Sequence, residues 1–222
     1  MSKHLQRDIE KLKAKLIHMG EVIEDRVYQA TMSVIKHEPA MAQAVIRGDA
    51  EIDAMEVEIE EDCLKILALY QPVAIDLRFI IAVLKINNDL ERVGDLAVNV
   101  AERGAFLATQ EGFKMVFDVY KMAVKAEGML TRSIDSLVNM DVRQARQVRA
   151  EDDEMDTLNR EMYALVKEVL PQNSDQMNCL FHAVSIGRHL ERIADHATNI
   201  AEDVVYMVEA EIIRHRPEVF EE

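Results

Sequence analysis

Residues Leu90–Arg103 read LERVGDLAVNVAER, and residues Leu190–Asp203 read LERIADHATNIAED. Eight of the fourteen positions are identical, at an offset of one hundred residues. Each copy sets a glutamate and an aspartate four residues apart, Glu91 with Asp95 and Glu191 with Asp195. On an α-helix, residues at that spacing share one face. Such a stretch written twice implies a duplicated helical unit.

The duplication runs beyond these stretches. GDAEIDAME (48–56) matches EDDEMDTLN (151–159) at an offset of 103. Tyr70-Gln71-Pro72 answers Leu170-Pro171-Gln172, while the opening helices match only in pattern. Proline, glycine and polar breaks divide the chain into six amphipathic segments, at 4–36, 40–69, 73–108, 113–139, 142–170 and 174–213. Pro39, Gln71-Pro72, Gly112, MDVRQ, LPQNSD and finally Pro217 separate or close them. A period near one hundred residues, with three helices per unit, is too long for a short-repeat solenoid. The expected fold is all-α: two tandem three-helix bundles, residues 1–110 and 111–222, built from six long antiparallel helices. One continuous six-helix bundle is the alternative. Helices of about 30 residues would be about 45 Å long and make a flat, elongated molecule.

Composition agrees with helices. The 222 residues include only 7 glycines and 4 prolines, no tryptophan, and 49% hydrophobic residues, enough for a sizeable core. No alternating strand pattern occurs. The net charge of −15 repels phosphate backbones, so no nucleic-acid partner is expected. It suits cations or basic partner surfaces. Cys63 and Cys179 stand alone, with no disulfide framework. The start, MSKHLQRDIE, is too polar for a signal peptide, and the apolar run FIIAVL (79–84) is far short of a membrane span. A cytoplasmic protein with no direct membrane insertion is expected.

On the last segment Ile186, Leu190, Ile193, Ala197, Ile200, Val204 and Val208 form the core stripe. Glu191, Asp195, Asn199 and Glu202 gather on another face, and Glu91, Asp95, Asn99 and Glu102 repeat this on the third. On the second segment Asp49 and Asp53 lie beside the stripe of Val45, Ile52 and Ile59, with Glu56 and Glu60 continuing the row. Asp152 and Asp156 hold the same place in the fifth, where the row continues as Asn159 and Tyr163. Like charges at i and i+4 repel by a few tenths of a kcal/mol. Four such pairs at matching positions need a reason, and a hard cation such as Mg²⁺, Mn²⁺ or iron supplies one. A solvated acidic face is the other reading, and residue pattern leaves both open.

Other signals are weaker. His182, His189 and His196 recur every seven residues along the edge of the last core stripe, where the first half has Ala82, Asp89 and Leu96. They read as packing histidines, with a zinc site as the alternative. Glu91 and Glu191 are followed at the third position by Gly94 and Ala194, so the Glu-x-x-His signature of di-iron enzymes is missing. Arg92 and Arg192 read as counter-charges to the neighbouring acids. The thirteen methionines read as core. No phosphate loop, nucleophile elbow or Ser/His/Asp arrangement occurs, so the chain does not read as an enzyme.

The repeated LER-x-x-D-x-A-x-N and the repeated acidic-x-x-x-Asp resemble the PhoU family of phosphate-specific transport accessory proteins. YQPVAIDLRFIIAVLKINNDLERVGDLA (70–97) and HLERIADHATNIAEDVVYMVEAEIIRH (189–215) carry the resemblance, which covers essentially the whole chain. It implies two tandem three-helix bundles and multinuclear metal clusters on their surfaces, of iron or zinc, with magnesium or manganese as alternatives. By resemblance the first cluster takes Asp49, Asp53, Glu91 and Asp95, and the second Asp152, Asp156, Glu191 and Asp195, with Asn99 and Asn199 as neighbours. It further implies an adaptor that represses the phosphate-starvation response when phosphate is plentiful. Its partners would be the ATPase subunit of a phosphate ABC transporter, a sensor histidine kinase and a second copy in a homodimer. Its place would be peripheral to the inner membrane through the transporter. A metal-free helical scaffold and a carboxylate-bridged metalloenzyme are the rival functions.

Overall fold

The computed structural model describes residues 3–213. Helix α1 spans Lys3–Lys36, α2 Pro39–Tyr70 and α3 Ala74–Ala108. Helix α4 spans Val119–Asn139, α5 Val142–Ala150, α6 Asp152–Val169 and α7 Met177–Glu209. No strand occurs among the described residues. Pro217 lies outside them.

The breaks follow local chemistry. Pro39 fits the first turn of α2, where its missing N–H costs nothing. Gln71, in the left-handed region at φ 45°, ends α2 by donating its N–H to the Leu67 carbonyl, and Pro72 forbids continuation. Asp118 caps α4 by accepting from the Lys121 N–H, and Asp141 caps α5 by accepting from Arg143 and Gln144.

Three expected boundaries move. The fourth helix begins at Val119, not 113, because Gly112 turns the chain at φ 80° and the cap is Asp118. The expected segment 142–170 is broken at Glu151 into α5 and α6. Lys125 and Arg132 of α4 both hold the Glu151 carboxylate at that break. Asp152, Asp153 and Glu154 then favour a new N-terminus, where the helix dipole is positive. The last helix runs 177–209 and is preceded by 3-10 turns at Leu170–Gln172 and Ser174–Gln176.

Each half is a three-helix bundle, with α1, α2 and α3 in the first and α4, α5/α6 and α7 in the second. The halves join chiefly through α3 against α7, and also through α1 against α4. Lys85 meets Asp203, Asp89 meets His196, and Phe106 meets His182. Rising numbers on α3 against falling numbers on α7 make the pair antiparallel. One core runs through both halves, with Leu16, Ile23, Ile52, Ile86, Leu90 and Met129 wholly buried. Burying each such side chain contributes about 1.5–3 kcal/mol. The stripe read on the last helix is buried from Ile186 to Val204, but Val208 is 41% exposed near the helix end. Gly187 marks a close approach of α7 to α6, since a Cβ there would fall 2.1 Å from the Met162 sulfur.

Candidate functional site

Two acidic faces flank the central pair, one between α2 and α3 and one between α6 and α7. In the first, Asp49 is half-buried one turn before the exposed Asp53. Burial raises the Asp49 carboxyl above the usual range, and the charges of Asp53, Asp95 and Glu102 raise it further. Burial also raises Glu91, followed by the charge of Asp95, while Arg92 pulls it down and Glu56 and Asp53 push it up. Glu56 is raised likewise, by burial, Glu60 and Asp53. The structure thus brings Asp49, Asp53, Glu91 and Asp95 into one field and adds Glu56 and Glu102 to it.

The second face is more perturbed. Asp152 is pushed up to about 6, first by burial and then by Asp195 and Asp156, against a lowering hydrogen bond from Thr198. The Thr198 hydroxyl donates to it across 3.4 Å. Glu191 is raised by burial, then by Asp195, Asp156 and, more weakly, Asp152. Asp195 keeps solvent contact, yet desolvation still leads its rise, with His196 opposing and Asp156 adding. Glu202 forms an ion pair with Arg149 of α5 at 3.1 Å.

The neighbours divide between the faces and the seam. The Asn99 amide donates to the backbone carbonyl of Asp95 within α3 at 2.8 Å. Asn199 turns toward α3, its amide 3.4 Å from Asp89. Arg92 pairs with both Glu91 (3.3 Å) and Asp95 (3.1 Å), whereas Arg192 acts on Asp195 through its field alone.

Among the described residues no three His, Cys, Asp or Glu side chains stand close enough together to hold a metal ion. The donor set nonetheless fits one in kind. It is built of anionic oxygens that destabilise one another at neutral pH, which a hard or borderline cation relieves. Asn159 adds a second sign on α6, three residues beyond Asp156. Its side-chain oxygen is buried with no hydrogen-bond partner. Closing on a metal would require the carboxylates to swing toward one another.

The histidine stripe is used at separate points of the α3–α7 seam. His182 stacks on Phe106 with ring centres 3.9 Å apart, and His196 Nδ1 is 2.7 Å from Asp89. Both ring nitrogens of His189 are buried without partners, and its pKa is pushed down to about 4 by burial and by Arg103, Arg192 and Arg188. The three rings do not converge on a zinc site. The Cys63 thiol is buried and pushed up to about 12, so it is unreactive.

Sequence reading missed two polar contacts across the seam, Asp89 with His196 and Lys85 with Asp203. The signal was present: Asp203 lies between Ile200 and Val204 on the core stripe, where an acid needs a partner.

Comparison with known proteins follows the same duplication. The family model described as the PhoU domain matches twice, over residues 16–104 and 119–204. The phosphate-specific transport system accessory protein PhoU homolog of Aquifex aeolicus is 35% identical over 212 residues, 96% of each chain. The crystal structure of PhoU from Pseudomonas aeruginosa superposes with a TM-score of 0.90 at 31% identity, covering 93% of this chain and 99% of that one. The phosphate transport system regulatory protein PhoU from Streptococcus pneumoniae gives 0.84 at 26% identity, covering 94% and 98%.

Proposed function

Because this chain belongs to the PhoU family, we propose that it regulates phosphate uptake as an adaptor beside a phosphate-specific transport system. The observation that carries this reading is the double family match across both bundles, together with relatives named as accessory proteins of phosphate transport. In this reading the protein is cytoplasmic, joins the transporter's ATPase subunit to a sensor histidine kinase, and holds the starvation response off when phosphate is plentiful. It works as a homodimer and catalyses no reaction. No helix among the described residues is long and apolar enough to cross a membrane, so contact with the membrane would come through the transporter.

The two acidic faces are the proposed metal sites. Asp49, Asp53, Glu91 and Asp95 would hold one cluster of iron or zinc, and Asp152, Asp156, Glu191 and Asp195 the other. The metal would supply positive charge that offsets part of the −15 net charge. The chain's own contribution is placement. α3 and α7, rigid and antiparallel, hold Glu91 and Glu191 on fixed surfaces, and α2 and α6 bring the aspartates to them.

Elemental analysis of protein purified without chelator or affinity tag tests the metal part. Several equivalents per chain, reduced in both Glu91→Gln/Asp95→Asn and Glu191→Gln/Asp195→Asn, are expected. Metal content unchanged in either variant would discard that face as a site. The regulatory part is tested in the native host: deleting the chain should switch on phosphate-starvation genes in phosphate-rich medium. Genes that stay off would overturn it, whatever the metal result.

A further inference from the structure

The break at Glu151 opens a surface that the first bundle lacks. α1 lies along the length of α2, but α4 packs against α5 and then parts from α6. A groove of about 710 Å³ lies between α4 and α6. Its floor is apolar, with Val124 and Gly128 from α4 and Leu158 from α6, and Val124 is 50% exposed. Helical phase puts this groove on the opposite side of α6 from Asp152 and Asp156, so it is separate from the acidic face.

Gly128 is the second observation. It stands in the interior of α4, where glycine weakens a helix relative to alanine. The fold does not demand it: the atoms nearest to a Cβ there belong to the guanidinium of Arg132, from 3.2 Å, a flexible tip. What glycine does is bare the α4 backbone at the groove floor.

The charges have a direction. On the α4 wall Lys125 is already held by Glu151 and Glu154, and Arg132 by Glu151. Lys121 is exposed on the same wall, and Asp153 and Glu161 are exposed on the α6 rim. These three leave one negative charge in excess, and in a chain of net charge −15 that favours a basic edge. No strand edge exists among the described residues for an extended peptide to join. From Lys121 to Arg132 the α4 wall runs about 16 Å, or three helical turns.

We propose that this groove docks an amphipathic helix of a partner protein. The helix seats its apolar stripe on Val124, Gly128 and Leu158 and turns a lysine- or arginine-bearing edge to Asp153 and Glu161. This names a docking element for the adaptor reading, but it requires neither metal nor phosphate.

The probe is a fluorescein-labelled helical peptide of about 16 residues with leucines at i, i+3, i+4 and i+7 and lysines along one flank. Its binding to the full chain is read by anisotropy at about 0.15 M salt. Val124→Glu and Gly128→Leu should each weaken binding at least about tenfold, with melting temperatures unchanged or higher. A peptide with glutamates on the same flank should bind at least about tenfold more weakly. Equal binding to wild type and both variants would place the contact elsewhere and overturn the proposal, as would no binding at all. A wild-type dimer that Val124→Glu splits in sedimentation would overturn it too, since a second copy would then be the occupant. Starvation genes that stay off on deletion of the chain, with peptide binding intact, would fault the family reading and leave the groove standing.

Discussion

Asp89 on α3 and His196 on α7 stand 2.7 Å apart, Oδ1 to Nδ1, in the seam where the two bundles meet. Asp89 is only 8% exposed, and its other contact, the Asn199 amide, is longer at 3.4 Å. A buried carboxylate stripped of its hydrogen-bond partner is costly. His196→Leu should therefore lower stability by about 2–4 kcal/mol in urea unfolding. Asp89→Leu in the same background should restore part of that loss, because no charge then remains to be buried. Strictly additive losses would mean that the two side chains are neighbours without being partners.

At a shift of one hundred residues, Asp89 becomes His189 and His196 becomes Leu96, so the seam is symmetric in backbone but not in chemistry. His189 keeps its imidazole and loses the acid, and neither ring nitrogen finds a partner. Its folded pKa, about 4, lies below the ordinary 6.5. As pH falls through that window the unfolded chain takes up a proton that the folded chain refuses, and stability is lost. His189→Leu should stabilise the chain by about 1 kcal/mol at neutral pH and by more near pH 4.5. The measurement is thermal unfolding across that range. An unchanged acid limb would show that His189 is hydrated and titrates freely.

The fold was legible because duplication and period agree. Breaks read at 39, 71–72 and 140–141 fall at helix boundaries, and the stripe from Ile186 to Val204 is core. The break at Glu151 was not legible, because the segment around it keeps its helical period. What ends α5 is the pull of Lys125 and Arg132 from another helix, a tertiary contact that local propensity cannot carry. Helical phase put each carboxylate pair on one face of its own helix, while the joining of two pairs into one set came from the family resemblance. Whether Asn199 served the acidic face or the seam was not legible, since one residue at a stripe's edge can turn either way, and here it turns to Asp89.

Asp152 has opposite uses with and without a cation. Its pKa of about 6 stands above the ordinary 3.8, so folding favours the protonated form. That contribution is complete below pH 3.8 and lost as pH rises through 6, leaving the metal-free fold with a burdensome charge at neutral pH. Asp152→Asn should raise the stability of the metal-free chain at pH 7.5 by about 1–2 kcal/mol, after allowing for solvent screening. The gain should vanish at pH 4, while metal content of the second face falls. Thermal unfolding after dialysis against chelator, at both pH values, checks the first part. A loss of stability at pH 7.5 would show that the ionised Asp152 is already well paired without metal.

Arg92 makes the first face different from the second. Its guanidinium reaches Asp95 at 3.1 Å and Glu91 at 3.3 Å while remaining 52% exposed, so it occupies two of the proposed ligands. A cation entering this face must displace that arginine or sit beside its charge. Removing the charge should help: Arg92→Gln is expected to tighten Zn²⁺ binding at the first face by about 3–10-fold, the modest size reflecting exposure. The titration is best read in the Glu191→Gln/Asp195→Asn background, where only the first face remains competent. The same change in a background lacking Glu91 and Asp95 should do nothing. Weaker binding in Arg92→Gln would reverse the assignment, because Arg92 would then be the residue that holds Glu91 and Asp95 in place for the metal.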